Sequence, residues 1–206
     1  MMPDIAECAE RLRQLSPAYE AEAREKYIPI IRPESLKLLL DAAKKSRCSR
    51  ILEIGTAIGF STAWLATETG AVVDTIEKDE ERLERAKAFW KEVGIEDRVN
   101  PYLGDADELV RRLASENRYG FIFIDAAKSR YSDYLDAVYP SLEKGGIVFA
   151  DNVYYLGLVK GDAYPPHKHR TIVTNMRAFL KKISNKDKFD TTVYDTEDGT
   201  AVCVKL

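Results

Sequence analysis

Short apolar runs alternate with amphipathic stretches from about residue 50 to the end of the chain. The runs at residues 50–54, 71–76, 99–103, 119–124 and 146–150 are rich in β-branched and aromatic side chains. Runs of this kind are typical of strands that are buried on both faces. Between two of them, apolar residues such as Leu83, Ala86 and Val93 recur at helical spacing among charged residues. The alternation predicts βαβ units, and therefore a parallel sheet with right-handed crossovers.

The two ends of the chain have different patterns. Residues 189–194 and 200–206 are β-rich runs joined by a turn that contains Asp198-Gly199. An Asp-Gly pair in this setting predicts an antiparallel hairpin, which would close one edge of the sheet. The first 47 residues are helical in pattern, and we expect breaks at Ser16-Pro17 and Arg32-Pro33 because proline interrupts helices. The chain is therefore expected to form one domain over residues 1–206, with N-terminal helices in 1–47 and an α/β core in 48–206.

The composition of the chain indicates which kinds of binding partner are not expected. The chain has 206 residues, and 31 Lys+Arg against 34 Asp+Glu give a formal net charge of −3. This balance offers no strong electrostatic case for nucleic acid or an anionic membrane as the main partner. No apolar stretch is long enough to span a membrane, and the first residues lack the pattern of a signal peptide. Three widely spaced cysteines without a CxxC pair predict reduced thiols, and we expect a cytoplasmic protein.

A glycine loop follows the first predicted strand. Gly55 and Gly59 allow the backbone to turn tightly and to approach a ligand, but their spacing is not the GxGxxG that seats a pyrophosphate. Glu53 lies within the apolar strand, where burial of its carboxylate requires a donor or cationic partner. Glu77 ends the second strand, where a carboxylate can accept both hydroxyls of a ribose, although a solvated charge is the alternative. A nucleoside that carries an amino acid, such as S-adenosylmethionine, fits this pattern.

The third predicted strand ends in Gly104-Asp105-Ala106, where the adenine of such a cofactor would lie. Asp105 could accept a hydrogen bond from the exocyclic amine of the adenine. It could also cap the next helix, and the two roles are compatible.

Oxygen-bearing side chains end the next two strands. Asp125 follows the fourth strand, and Asp151 and Asn152 follow the fifth. Ligands of open α/β sheets bind at the carboxyl ends of the strands, near the switch point of the topology. Three oxygen ligands suit Mg²⁺, Mn²⁺ or Ca²⁺, whereas simple capping of the following turns is the alternative.

Lys128 follows Asp125 by three residues. A nearby divalent cation would lower the pKa of this lysine and allow it to act as a base; otherwise it is a solvated charge. The predicted reaction is deprotonation of a chelated hydroxyl. The oxygen then attacks the methyl carbon of the sulfonium, and S-adenosylhomocysteine leaves.

These motifs resemble the cation-dependent class I O-methyltransferases, the family of catechol and caffeoyl-CoA O-methyltransferases. The resemblance covers residues 33–206, and it is carried by residues 52–62, 76–79, 104–106, 124–128 and 151–153. It implies a Rossmann-like, seven-stranded, mostly parallel sheet with an antiparallel C-terminal hairpin and helices on both faces. It also implies a homodimer, S-adenosylmethionine as cofactor, a divalent cation (Mg²⁺ first) and a small aromatic vicinal diol as substrate.

The resemblance also assigns roles to individual residues. Lys128 takes the position of the catalytic lysine, and Asp125, Asp151 and Asn152 take the positions of the metal ligands. Tyr155 stands where plant enzymes of the family often have tryptophan, and residues 160–169 form an unusual loop that we expect near the acceptor. The cofactor-binding residues are expected to be Glu53, Gly55, Thr56, Gly59, Ser61, Glu77, Asp105, Ala106 and Asp125.

Two other functions share part of the pattern. An NAD-dependent oxidoreductase would also have a strand, a glycine loop and a strand-end acid, but this chain lacks GxGxxG and a Tyr-xxx-Lys pair. A non-catalytic module that binds S-adenosylmethionine would have no need of the acidic ligands and the lysine.

Overall fold

The computed structural model describes residues 4–161 and 164–206. Seven strands form one sheet in the order β3-β2-β1-β4-β5-β7-β6. All neighbouring strands are parallel except the pairs that involve β7. This topology confirms the predicted Rossmann-like sheet and its antiparallel hairpin. The strands are β1 (Arg50–Ile54), β2 (Val72–Glu77), β3 (Val99–Leu103), β4 (Tyr119–Ile124), β5 (Leu142–Asp151), β6 (Phe189–Tyr194) and β7 (Thr200–Lys205).

Helices cover both faces of the sheet. Side chains of α1 to α4 belong to one hydrophobic cluster, and side chains of α5 to α7 belong to a second cluster on the opposite face. The described part of the chain has no helix that is both long and apolar enough to cross a membrane. The helices are α1 (Ile5–Glu25), α2 (Pro33–Ser46), α3 (Phe60–Thr69), α4 (Glu80–Val93), α5 (Ala106–Glu116), α6 (Tyr131–Val138) and α7 (Arg170–Ile183).

The strand order creates the switch point that the sequence predicted. Strand β1 pairs with β2 on one side and with β4 on the other. The chain leaves β1 toward the α3 face and leaves β4 toward the α6 face, so the two connections diverge. Divergence at the carboxyl ends of neighbouring parallel strands opens a crevice, which is the usual ligand position in such sheets.

The predicted helix break at Ser16-Pro17 is wrong, because α1 continues through Pro17. Proline removes one backbone donor, but packing on both sides of it keeps the helix in place: Leu12 and Tyr19 are buried, and the Tyr19 ring stacks on Phe89. The break at Arg32-Pro33 is confirmed. Helix α2 begins at Pro33, where a missing N–H costs nothing.

The three cysteines form no disulfide, as expected. The C-terminal hairpin also matters for the site, because β7 pairs with β5 so that Thr200 lies opposite Asp151. The turn before β7 uses Gly199 with φ of 74°. A Cβ at Gly199 would approach the Tyr154 ring to 2.3 Å, so glycine allows the turn to pack against this ring.

Candidate active site

A cleft of about 660 Å³ opens at the carboxyl ends of β1, β2, β4 and β5. Two predicted site residues, Glu53 and Gly59, are not part of its lining. The predicted residues that line it are Gly55, Thr56, Ser61, Glu77, Asp105, Ala106, Asp125, Lys128, Asp151 and Asn152. The fold therefore brings together side chains that are spread over about a hundred positions of the sequence.

The glycine loop turns as its sequence predicted. Gly55 has φ of 105°, and a Cβ there would lie 2.2 Å from the carbonyl oxygen of Asp125. Gly59 has φ of 81° and is the N-cap of α3, where a Cβ would collide with the Trp90 indole at 2.5 Å. The indole Nε1 donates to the Gly59 carbonyl at 3.0 Å. Both glycines are required by close packing, at Gly55 against the end of β4 and at Gly59 against α4.

Glu77 is buried, so the alternative of a solvated charge is wrong. Its Oε2 accepts from the backbone N–H of Ala57 at 2.8 Å, within the glycine loop. Its Oε1 accepts from the backbone N–H groups of Lys78 and Asp79 at 2.9 and 3.0 Å. The carboxylate thus ties the loop to the end of β2 while it faces the cleft. Its contact with a ribose stays a prediction.

Glu53 is fully buried behind the wall of the cleft. Its carboxylate accepts hydrogen bonds from the hydroxyls of Ser61 and Thr75, both at 2.6 Å, and from the Thr62 hydroxyl. Three neutral donors therefore take the place of a cationic partner. Burial raises the pKa of Glu53 to about 7, although the hydroxyl donors oppose the rise. Glu53 reaches the cleft only through Ser61, which lines it, and its predicted contact with the cofactor stays a prediction.

The raised pKa of Glu53 predicts a pH-dependent stability. Between about pH 4.5 and pH 7 the folded state holds a proton on Glu53 that the unfolded state has released, so stability falls as pH rises through this window. We expect the Glu53→Gln variant to lack this component, because its amide keeps the size of the side chain but carries no titratable charge. Between pH 5 and pH 8, wild type should lose about 3 kcal/mol relative to the variant. Urea unfolding at both pH values measures the difference, and parallel curves for the two proteins would contradict the prediction.

Asp105 caps the N-terminus of α5, which confirms one of its two predicted roles. Its carboxylate accepts from the backbone N–H of Asp107 at 2.7 Å, and the residue is exposed at the lip of the cleft. The second role, a hydrogen bond with adenine, stays a prediction.

Lys128 lines the cleft and donates hydrogen bonds to two partners. Its Nζ donates to Asp125 Oδ1 at 2.6 Å and to the Tyr131 hydroxyl at 2.7 Å. Burial alone would lower the pKa of Lys128, but the charge of Asp125 and the contact with Tyr131 outweigh it and raise the pKa. The lowered pKa that the sequence predicts depends on a bound cation and stays a prediction. In the structure the ammonium pairs directly with the carboxylate.

Asp151 is held by hydroxyls from two distant segments. Its Oδ1 accepts from Ser35 Oγ at 3.0 Å and from Thr200 Oγ1 at 2.8 Å. Burial and the nearby charge of Asp125 raise the pKa of Asp151, while these hydrogen bonds oppose the rise. Asn152 has φ of 56°, a conformation that asparagine tolerates better than most residues.

The donor set of Asp125, Asp151 and Asn152 fits a hard divalent cation. Two carboxylates and an amide oxygen line the same cleft, and the two carboxylates lie close enough to raise a pKa through mutual repulsion. A cation among them would relieve this repulsion. Within the described residues, no group of three or more His, Cys, Asp or Glu side chains could hold a metal ion. A site with three protein donors here would therefore have to include the amide of Asn152, and its role as a ligand stays a prediction.

Several residues that contact or line the site were not found from the sequence. Ser35 and Tyr131 contact the predicted site residues from α2 and α6, and no motif marks them. The hydroxyl of Tyr155 lies 3.1 Å from His169 Nδ1, so the end of the 160–169 loop contacts a residue that lines the cleft, and its place near the acceptor stays a prediction. Asp162 and Ala163 of that loop lie outside the described residues. The connection of residues 29–32 also lines the cleft.

Comparisons with known proteins agree with this geometry. The chain is 28% identical over 187 residues to a caffeoyl-CoA O-methyltransferase from Populus kitakamiensis, which covers 87% of this chain and 78% of the relative. A candidate caffeoyl-CoA O-methyltransferase from Staphylococcus aureus superposes with a TM-score of 0.84 at 27% identity, covering 95% and 92% of the two chains. An O-methyltransferase from Bacillus cereus, solved with SAH, superposes with a TM-score of 0.77 at 25% identity, covering 100% and 93%.

The O-methyltransferase family model matches residues 5–206, which is nearly the whole chain. This match excludes the alternative that the chain is an NAD-dependent oxidoreductase. The chain belongs to the O-methyltransferase family and is an S-adenosylmethionine-dependent O-methyltransferase.

Proposed function

We propose that this enzyme methylates one hydroxyl of a small aromatic vicinal diol that is chelated by a divalent cation, Mg²⁺ first. The main observation in support is that predicted cofactor-binding residues and the predicted metal ligands line the same cleft. The glycine loop, Glu77, Asp125, Lys128 and Asp151 all line this cleft. The names of the relatives, caffeoyl-CoA and catechol O-methyltransferase, support a phenolic acceptor.

The cofactor would occupy the end of the cleft formed by β1, β2 and β3. Glu77 would accept the ribose hydroxyls, and Asp105 with Ala106 would lie beside the adenine. The open backbone of Gly55 and Thr56 would allow the amino-acid part to approach the sheet closely. The acidic side chains around the cleft suit the positive charge of a sulfonium.

Asp125, Asp151 and Asn152 would hold the cation, and Mn²⁺ or Ca²⁺ would share the same ligand chemistry. When bound there, the cation would lower the pKa of a chelated hydroxyl. It would also offset the negative charge of Asp125, which otherwise favours the protonated form of Lys128.

Lys128 would act as the base. Its neutral amine accepts the proton of the acceptor hydroxyl, and the oxygen then attacks the methyl carbon of the sulfonium. The electrons of the carbon–sulfur bond pass to sulfur, and S-adenosylhomocysteine leaves. Positioning of the two substrates in one cleft would supply much of the acceleration. The homodimer implied by the resemblance and the cytoplasmic location expected from composition stay predictions.

A methyl-transfer screen tests the proposal. Catechols, caffeoyl esters and flavonoid diols are incubated with labelled S-adenosylmethionine, and each is matched with an analogue that has a single hydroxyl. We expect product from diols only, because a single hydroxyl cannot chelate a cation. We also expect loss of product in EDTA and its return with Mg²⁺. Full activity in EDTA, or equal rates on the analogues with one hydroxyl, would contradict the proposed mechanism.

A further inference from the structure

Tyr131 links two segments of the chain that line the active site. The residue is fully buried at the start of α6, and its ring packs edge-to-face on Phe179 with centroids 5.4 Å apart. Its hydroxyl accepts from Lys128 Nζ at 2.7 Å and donates to the backbone carbonyl of Asp151 at 3.0 Å. One phenol group therefore bridges the lysine that follows β4 and the last residue of β5.

The direction of these hydrogen bonds determines how the Lys128 ammonium group is oriented. The Tyr131 hydroxyl has one proton, and because the Asp151 carbonyl takes it, the lone pairs of the oxygen are left for Lys128. Three positions surround Lys128 Nζ besides its own carbon. Asp125 Oδ1 and the Tyr131 hydroxyl occupy two of them, so the third is available to the cleft that Lys128 lines.

We propose that Tyr131 is a positioning residue that orients Lys128 Nζ toward the acceptor hydroxyl. A neutral amine still has two N–H groups, so it keeps both contacts while its lone pair occupies the third position. The same geometry therefore serves the amine that receives the proton and the ammonium that results. This inference rests on the proposed role of Lys128 as the base.

The Tyr131→Phe variant tests the inference, because it removes the hydroxyl and keeps the ring on Phe179. We expect kcat to fall about 10- to 100-fold, as misplacement of a reacting group does. The Kd of S-adenosylmethionine, measured by calorimetry, should stay within about twofold, because Tyr131 is fully buried and does not line the cleft. Tyr139→Phe is the matched control, since Tyr139 follows the same helix and its ring packs on Phe189 away from the cleft. The control should keep wild-type kcat.

A double variant separates positioning from a general structural role. If Tyr131 acts through Lys128, then adding Tyr131→Phe to Lys128→Ala should change the residual methyl transfer by less than about twofold. A merely structural tyrosine would lower the activity by the same factor in both backgrounds, and that result would overturn the inference. So would an unchanged kcat in the single variant while Lys128→Ala is inactive. Failure of the proposed function itself would instead show as an active Lys128→Ala.

Discussion

Replacement of Lys128 by alanine should lower kcat by about 10²- to 10⁴-fold, the usual contribution of a general base. The Kd of S-adenosylmethionine should change little, because Lys128 itself is not among the residues predicted to bind the cofactor, although its partner Asp125 is one of them. The need for Mg²⁺ should not increase, since the variant frees Asp125 from the ammonium that pairs with it at 2.6 Å. Initial rates over a range of Mg²⁺ concentrations, together with calorimetry of cofactor binding, measure all three quantities.

Lys128→Arg distinguishes the base from the ion pair. Arginine can keep the charge and the contact with Asp125, but its guanidinium stays protonated and cannot accept the proton of the acceptor. We therefore expect the arginine variant to be about as inactive as the alanine variant. Lys144→Ala, at an exposed position near the start of β5, is the control and should keep wild-type rates. An arginine variant with most of the wild-type rate would show that Lys128 serves only to balance the charge of Asp125.

The strands could be predicted because their patterns are local. The parallel strands other than β3 contain apolar runs, whereas β3 lies at the edge of the sheet and exposes Asn100 and Pro101, so the predicted burial on both faces is wrong there. The Asp-Gly turn marks the hairpin that the structure confirms. The error at Pro17 has a different origin. Sequence patterns record that proline weakens a helix, but they do not record the packing of Tyr19 on Phe89, which lies in α4. Tertiary contacts overrode the local preference.

The same distinction applies to the site. Asp125, Asp151 and Glu77 could be identified because each ends a strand, and the ends of parallel strands meet at one edge of the sheet. Ser35 gives no such signal, since it is 116 positions away from Asp151 in the sequence and its place depends on how α2 packs. For Glu53, its position in a strand beside the cleft does not show which way the side chain points. Its burial was expected, but its side chain faces the three hydroxyls behind the wall of the cleft.

Replacement of Asp151 by asparagine should have the second large effect. The variant keeps the size of the side chain and an oxygen for Ser35 and Thr200, but it removes one negative charge from the proposed cation site. We expect kcat at the Mg²⁺ concentration that saturates wild type to fall by about 10³-fold, in line with the several kcal/mol that a Lewis acid supplies. A higher Mg²⁺ concentration should partly restore the rate of Asp151→Asn. The Lys128→Ala variant, in contrast, should not need more Mg²⁺ than wild type. Asp187→Asn, at an exposed position between α7 and β6, is the control.

Stability in EDTA distinguishes this ligand role from a structural one. The pKa of Asp151 is raised by burial and by the charge of Asp125, so at neutral pH its ionised form costs folding free energy that a neutral amide does not. Without a cation, Asp151→Asn should therefore unfold at a higher urea concentration than wild type, although it is nearly inactive. A carboxylate that only organised Ser35 and Thr200 would give the reverse, a less stable protein with an unchanged need for Mg²⁺. Residues kept for function at the expense of stability have this signature, because selection retains their charge for the ligand rather than for the fold.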